Sequence, residues 1–228
     1  MSVGYITLSK NYSASYYSSA WFAGDTLTVQ LYSEDIKKTL DSGSGNLLVK
    51  KPRSKSGYIN GIQTDITDLL KVDFAFTITG FIEDTGTRYT STLSSDGTTI
   101  ELTGGDYNSF PSTNGVILID NELIHYDTRS GTTLSTLRRA YAHTTEVAHT
   151  GGVTVTDMTN SAIIKEFNME QLRTRGGTVT FQYRMFTFTA FISSFDTTDN
   201  GSSNKTINDL PTKYPFNLSL IIGTMRGE

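Results

Sequence analysis

The chain has 228 residues, enough for one large domain or two small ones, each with a buried core. Its formal net charge is -4 and it lacks a basic patch of the kind that neutralises phosphates, which argues against direct nucleic-acid binding. Hydrophobic residues make up 36% and aromatic residues 11% of a chain without cysteine, so the composition favours β-structure and excludes disulfides and thiolate sites.

The first 90 residues carry mainly strand patterns. Apolar and polar residues alternate over 3–8 and again over 26–32, the period of two that a strand with one buried face shows. A short helical turn is predicted over 35–40 and a flexible loop over 41–46. The strongest alternation covers 72–83, and Gly80 inside it predicts a bulge or a close approach of another backbone.

A segment with little apolar content, residues 50–65, lies between these strands. It contains the densest basic stretch of the chain, in a setting of Gly, Ser and Pro. The segment is predicted to be a solvated loop at the surface or at an interface. Its candidate interface residues are Lys50, Lys51, Arg53, Lys55 and Tyr58.

Residues 91–157 have the pattern of a separate small module. Short strand-like runs recur here, and turn residues such as Gly104-Gly105 and Gly151-Gly152 separate them. Short strands at this spacing are typical of a small barrel or sandwich.

The C-terminal part begins with the one convincing helix pattern, over 159–175. Its apolar residues fall near helical spacing, Thr159 or Asn160 can cap its start, and Gly176-Gly177 ends it. Strand patterns follow over 178–183, 185–195 and 214–224. We therefore expect a mainly β fold: a sandwich or barrel packed by one α-helix, built from 1–90 and 158–228, with a small β-barrel-like domain inserted at 91–157.

Candidate metal sites are weak. His143, Glu146 and His149 are three residues apart, but they lie in a turn-rich segment where a structural loop is the better interpretation. A second group of acidic residues suggests a calcium-binding loop, but its spacing departs from the spacing of such a loop. A hairpin loop with Asx-turns is the preferred interpretation. That group comprises Asp196, Asp199 and Asn200, before Gly201. No metal and no cofactor are expected.

Catalytic motifs are also absent. The sequence contains no nucleophile elbow, phosphate-binding loop or dinucleotide fingerprint. Asp120 and Glu122 can face the same side and serve acid–base glycoside chemistry, although a turn at a strand end explains Asp120 better. His125 lies in an alternating strand beside Tyr126, where a packed or hydrogen-bonded side chain is expected. We expect a protein that is not an enzyme.

No targeting or spanning segment is predicted. The N-terminus, MSVGYITLSK, lacks a charged leader followed by an apolar core, so no signal peptide is expected. No apolar run approaches the ~18 residues of a spanning helix, so membrane insertion is not expected.

Three segments together carry a family resemblance. They are DITDLLKVDFAFTITGFI at 65–82, LRTRGGTVTF at 172–181 and YPFNLSLIIGT at 214–224. Their order resembles tail-tube-like, distal-tail and baseplate proteins of tailed viruses of bacteria and archaea. The resemblance implies a tail-tube-like β fold and subunits that assemble into rings, commonly six-fold.

A second resemblance lies in the inserted module. The run GVILIDNELIHY at 115–126 and the segments after it are similar to a small β module that recurs in phage tail proteins. This chain has Arg139-Ala140 where the module usually has Arg-Gly, and Ala142-His143 where Gly is usual. The resemblance implies structural roles, as ties between loops, for Glu122, Tyr126, Arg138 and His149.

Taken together, the two resemblances predict a structural protein of a virus tail. We expect a ring homo-oligomer, made in the host cytoplasm and placed in the virion beside other tail or baseplate proteins, with DNA only as passing cargo. The 50–65 loop would reach a neighbouring subunit. The alternative is an adhesin module of a virus tail that binds carbohydrate on the host surface. The last hypothesis is a hydrolase that uses Asp120 and Glu122 or a metal at His143.

Overall fold

The structure is a computed structural model that describes residues 4–11, 26–47, 66–174, 177–198, 206–207 and 210–223. Its strands in chain order are β1 (Tyr5–Asn11), β2 (Thr26–Leu47), β3 (Ile66–Glu83), β4 (Thr90–Asp96), β5 (Ile100–Thr103), β6 (Thr113–Ile119), β7 (Glu122–Ser130), β8 (Thr133–Tyr141), β9 (Thr154–Asp157), β10 (Val179–Tyr183), β11 (Phe186–Thr197), β12 (Thr206–Ile207), β13 (Leu210–Pro211) and β14 (Lys213–Gly223). One α-helix in the described residues, α1, spans Ala162–Thr174. The predicted mainly β fold with one helix is confirmed.

Six strands close the first barrel. Their order is β1-β10-β11-β14-β3-β2, so residues from both ends of the chain complete one sheet. Its interior follows the alternation in the sequence, because Ile6 and Leu8 of β1 and Val29 and Leu31 of β2 are all buried. The predicted one-sided strand over 26–32 is therefore confirmed.

β2 continues much further than the sequence indicates. The predicted helical turn over 35–40 and loop over 41–46 are wrong, since both lie within a strand that runs to Leu47. β3 provides the reason: it pairs with β2 from Tyr32 to Leu47, and these ladder hydrogen bonds outweigh the local preference of a polar, Gly- and Ser-rich stretch. Register shifts, one at Ser33/Asp35 and one at Gly43/Ser44, absorb the irregularity.

Gly80 of β3 lies where two backbones meet closely. A Cβ atom at this position would lie 2.0 Å from the carbonyl oxygen of Tyr32 and 2.8 Å from Cα of Ser33. The register of β2 shifts directly opposite, between Ser33 and Asp35. The prediction of a bulge or a close approach at Gly80 is confirmed in both respects, since only glycine fits there.

A second closed barrel is formed by residues 90–157. Its strand order is β4-β5-β8-β7-β6-β9, and a 3-10 turn at Tyr107–Ser109 connects β5 to β6. Its interior holds a separate apolar cluster. Members of that cluster are Leu93, Ile100, Leu102, Phe110, Ile117, Ile119, Ile124, Tyr126, Leu134 and Val155.

α1 packs between the two barrels. Its buried residues join a cluster that includes the interior of the first barrel and outward-facing residues of the second, such as Val116, Leu118 and Leu123. The ring of Phe167 lies 4.9 Å from that of Tyr141, at the end of β8. The apolar run of β6 is therefore buried on both faces, one against each cluster, which is why it lacks alternation.

The start of α1 has a cap from a distant part of the chain. The backbone N–H of Ala162 donates to Oδ1 of Asp84 at 2.8 Å, and Nζ of Lys165 donates to the carbonyl oxygen of Glu83 at 2.7 Å. The predicted cap residues, Thr159 or Asn160, are wrong, because the helix begins only at Ala162 and the hydroxyl of Thr159 donates to Asp157. The helix end is thereby fixed to the segment that leaves the first barrel.

Candidate functional site

Lys50, Lys51, Arg53, Lys55 and Tyr58 all lie outside the described residues. The other candidates are the polar residues of the second barrel and the exposed surfaces of the first.

A buried polar cluster lies at one end of the second barrel, around Glu122 at the start of β7. Glu122 is fully buried, and Arg139 of β8 donates to both of its oxygens, Nε to Oε1 and Nη2 to Oε2, at 2.8 Å each. The backbone N–H groups of Ala140 and Val147 donate to the same carboxylate at 2.9 and 3.1 Å. A fork of this kind is the strongest pairing available to a buried carboxylate.

His149 and Asp96 complete the cluster. The ring of His149 is fully buried, with Nε2 3.0 Å from Oε2 of Glu122 and Nδ1 2.8 Å from Oδ2 of Asp120. Asp96 of β4 accepts from Nη1 of Arg139 at 2.8 Å and from the backbone N–H of His149 at 3.0 Å. The cluster thus joins β4, β7, β8 and the segment before β9.

The surroundings of Glu122 keep it ionised. Burial alone would raise the pKa of Glu122, but donation from Arg139, from the N–H groups of Ala140 and Val147 and from His149 lowers that pKa to about 2. The same contact with Glu122 raises the pKa of Arg139. Glu122 is fully buried and both of its oxygens are bound by donors of the protein itself, so neither oxygen is free to contact a substrate.

The four residues to which the resemblance gives roles as ties between loops make different contacts. Glu122 and His149 lie in the cluster, and the hydroxyl of Tyr126 donates to the carbonyl oxygen of Pro111 at 2.8 Å. Arg138 pairs through Nη2 with Oδ1 of Asp127 at 3.0 Å, on the adjacent strand β7. Of the two neighbouring arginines, it is Arg139 that binds Glu122.

A signal for Arg139 was present in the sequence. The module usually has Gly after its arginine, and the residue in that position, Ala140, has a φ of 53°. Ala142 and His143, where Gly is also usual, have φ values of 50° and 65°. Glycine adopts this left-handed region without steric cost, so the departures from the module mark backbone positions that are strained here.

The metal candidates do not come together. The side chain of His143 is 77% exposed, with Nε2 3.5 Å from Oε2 of Glu170, whereas His149 is buried. Within the described residues, no group of three or more His, Cys, Asp or Glu is arranged to hold a metal ion. Asp196 of the calcium candidate lies in β11, and its other members fall outside the described residues.

His125 occupies the position expected of a packed side chain. It is buried, its ring centroid lies 5.3 Å from that of Tyr141, and its Nδ1 lies 3.5 Å from Oδ1 of Asp127. It therefore belongs to the packing between β7 and β8.

The first barrel has two exposed apolar features. Phe191 of β11 and Ile221 of β14 are direct cross-strand partners on the outer face, 48% and 38% exposed. Met185 and Phe186, at the turn between β10 and β11, are 87% and 54% exposed. Large apolar residues that lie together on a surface commonly mark an interaction site.

Comparisons with protein-family models, with curated proteins and with solved structures find no match for the chain. A search of the described residues for membrane-spanning helices also finds none that is long and apolar enough.

Proposed function

We propose that this protein is a structural subunit of a virus tail. It assembles into a ring, in the tail tube, distal tail or baseplate, through which DNA passes. The observation that carries the proposal is the length of β2, whose outer edge beyond Ser33 pairs with no other strand among the described residues. The family resemblance of the sequence supplies the tail context.

β2 has 22 residues, about 70 Å when extended, whereas strands in globular proteins commonly have 3–10. Only Thr26–Tyr32 pair with β1, which closes the barrel on that side. After Ser33, whose N–H donates to the carbonyl oxygen of Gly4, no described strand pairs with the outer edge of β2. A strand edge of this length that is unpaired within the described part of the chain can serve as a template for pairing with another chain.

The exposed part of β2 has features of a surface that pairs selectively. Glu34, Asp35, Lys37 and Lys38 place both signs of charge along the open edge. Charges on an edge strand prevent indiscriminate pairing, and they permit a partner whose charges are complementary. A ring requires a contact between two different surfaces of the subunit, and the β2 edge supplies one of them.

The apolar pair of Phe191 and Ile221 is the candidate for the second surface. Both side chains project from the outer face of the barrel, where water otherwise contacts polar residues such as Thr189. A few buried aromatic and aliphatic side chains commonly dominate the energy of an interface. The net charge of -4 is also suited to a lumen that DNA crosses without being held.

The test is the assembly state of the full chain. Light scattering and negative-stain electron microscopy are expected to show closed rings, and the double variant Phe191→Ser/Ile221→Thr is expected to shift the protein toward monomers. The control is Thr189→Ser, a mild change on the same face of β11. A chain that stays monomeric at high concentration, alone and beside neighbouring tail proteins, would overturn the proposal.

A further inference from the structure

Four ring-bearing residues lie side by side on the outer face of the first barrel, one on each of four neighbouring strands. They are direct cross-strand partners: Tyr5 of β1, Tyr32 of β2, Phe81 of β3 and Pro215 of β14. Adjacent residues such as Ile6, Leu31 and Ile82 are buried in the barrel, so the alternation of a strand directs these four outward. At about 4.8 Å between strands, this ring row extends for roughly 14 Å.

A row of polar residues lies beside the ring row, two residues away on each strand and on the same face. In this polar row Thr7 pairs with Gln30, and Glu83 pairs with Lys213. The four residues supply a hydroxyl, an amide, a carboxylate and an ammonium group, and none of them is buried. The outer face therefore combines an apolar strip with a border of hydrogen-bond donors and acceptors.

Contacts between the two rows hold the rings in place. The hydroxyl of Tyr5 donates to Oε1 of Glu83 at 3.1 Å, and the ring of Tyr5 meets that of Tyr32 edge-on at 5.5 Å. Nζ of Lys213 lies 4.1 Å from the ring centroid of Phe81 and 3.6 Å from Oε2 of Glu83. Tyr5 nevertheless stays 46% exposed. A ligand would meet rings that are already fixed, so its binding would cost little side-chain freedom.

The charges of the polar row favour an uncharged ligand. Glu83 and Lys213 form a pair and offset each other, so the surface presents no net charge to an anion or a cation. A protein partner placed over both rows would remove water from this pair, which is costly. A neutral molecule with an apolar face and a rim of hydroxyl groups suits both rows, and a sugar ring has this form.

We propose that the ring row and the polar row form a binding site for a neutral oligosaccharide. The C–H face of a sugar ring stacks on the exposed ring of Tyr5, and its hydroxyl groups bond to Gln30 and Glu83. The row is longer than one sugar ring, so it takes several linked sugars. The site is separate from the proposed assembly surface, because Pro215 and Ile221 lie near opposite ends of β14.

The first test is binding of the full chain to an array of neutral, acidic and amino oligosaccharides. Binding is expected to neutral oligosaccharides. Binding to no neutral oligosaccharide, or to acidic ones alone, would overturn the proposal. The result is independent of ring assembly, which light scattering reports for the same preparation, so the two proposals can fail separately.

Variants measured on the same array over a range of protein concentrations locate the site. Tyr5→Ala should weaken binding by about tenfold, whereas Tyr5→Phe keeps the ring and should retain most of the binding. Gln30→Ala changes an exposed side chain outside the core and should weaken binding by about fivefold, as the loss of one hydrogen bond does. The control Phe186→Ala removes another exposed ring of the first barrel and should bind as wild type does. Wild-type affinity in both Tyr5→Ala and Gln30→Ala would contradict the proposal.

Discussion

Replacing Glu122 by glutamine is the most direct test of the buried cluster. The change keeps the shape of the side chain and removes its charge. Glutamine has one carbonyl oxygen that accepts and one NH2 group that donates. Its NH2 group would face groups that are themselves donors and that bind the carboxylate of Glu122 in the wild type. These donors are Arg139, His149 and the backbone N–H groups of Ala140 and Val147. The guanidinium of Arg139 would remain buried with one of its two carboxylate partners missing.

The magnitude follows from two independent arguments. Lowering the pKa of Glu122 from 4.5 to about 2 corresponds to about 3 kcal/mol of stability at neutral pH, at 1.36 kcal/mol per pH unit. Breaking a buried ion pair by removal of one partner typically costs ~3–5 kcal/mol. We therefore expect Glu122→Gln to lower the free energy of unfolding by about 3 kcal/mol.

Urea denaturation at pH 7 measures this loss, as a shift in midpoint at constant slope. Because the folded pKa of Glu122 lies below that of the unfolded chain, its contribution is complete above pH ~4.5 and is lost as the pH falls toward about 2. Wild type should lose that stability over this range, whereas Glu122→Gln should show a correspondingly smaller acid dependence.

A matched control separates the cluster from carboxylates in general. Glu101 is half-buried and accepts hydrogen bonds from the hydroxyl groups of Thr132 and Thr133. Glu101→Gln should cost less than about 1 kcal/mol, because a neutral acceptor can keep such contacts. If Glu122→Gln costs no more than Glu101→Gln, or if its acid dependence equals that of wild type, the cluster does not stabilise the barrel as argued.

Three further predictions follow from the packing. Ala140→Gly should raise the free energy of unfolding by about 1 kcal/mol, because glycine adopts the φ of 53° at this position without steric cost. The control Ala190→Gly, in buried and extended β11, should lower the free energy of unfolding in the same denaturation assay. Gly115→Ala should cost about 1–3 kcal/mol, since a Cβ there would lie 2.1 Å from the ring of Tyr126, and Gly97→Ala, which has space, should be near neutral. Calorimetry of the full chain should show both barrels unfolding in one transition, because one apolar cluster spans them, and two separated transitions would contradict this.

The strands of the first barrel could be predicted wherever the chain carries its own alternation. Residues 26–32 and 72–83 do so, and Gly80 could be recognised as a close approach because a glycine inside a strand needs a reason. Residues 35–47 could not be predicted. They are polar and rich in Gly and Ser, and their strand exists through pairing with β3, which is a property of two distant segments.

The buried cluster was predictable only in part. Glu122 and His149 were indicated by resemblance, but the choice between Arg138 and Arg139 depends on which side of β8 faces Glu122. Adjacent strand residues face opposite sides, and a positive φ at Ala140 changes the direction of the chain there, so spacing alone does not decide it. Asp96 lies far from the others in sequence, and only the closed barrel brings it to Arg139.

The continuous apolar run of β6 joins the cores of the two barrels. An inserted module that folded alone would need one polar face on each strand, whereas β6 buries Ile117 and Ile119 inside its own barrel and Val116 and Leu118 against the cluster of α1. Tyr141 adds an aromatic contact to the same cluster. The second barrel therefore completes the core of the first. An excised 91–157 fragment would expose an apolar face, and we expect it to aggregate before any binding of a ligand to it can be measured.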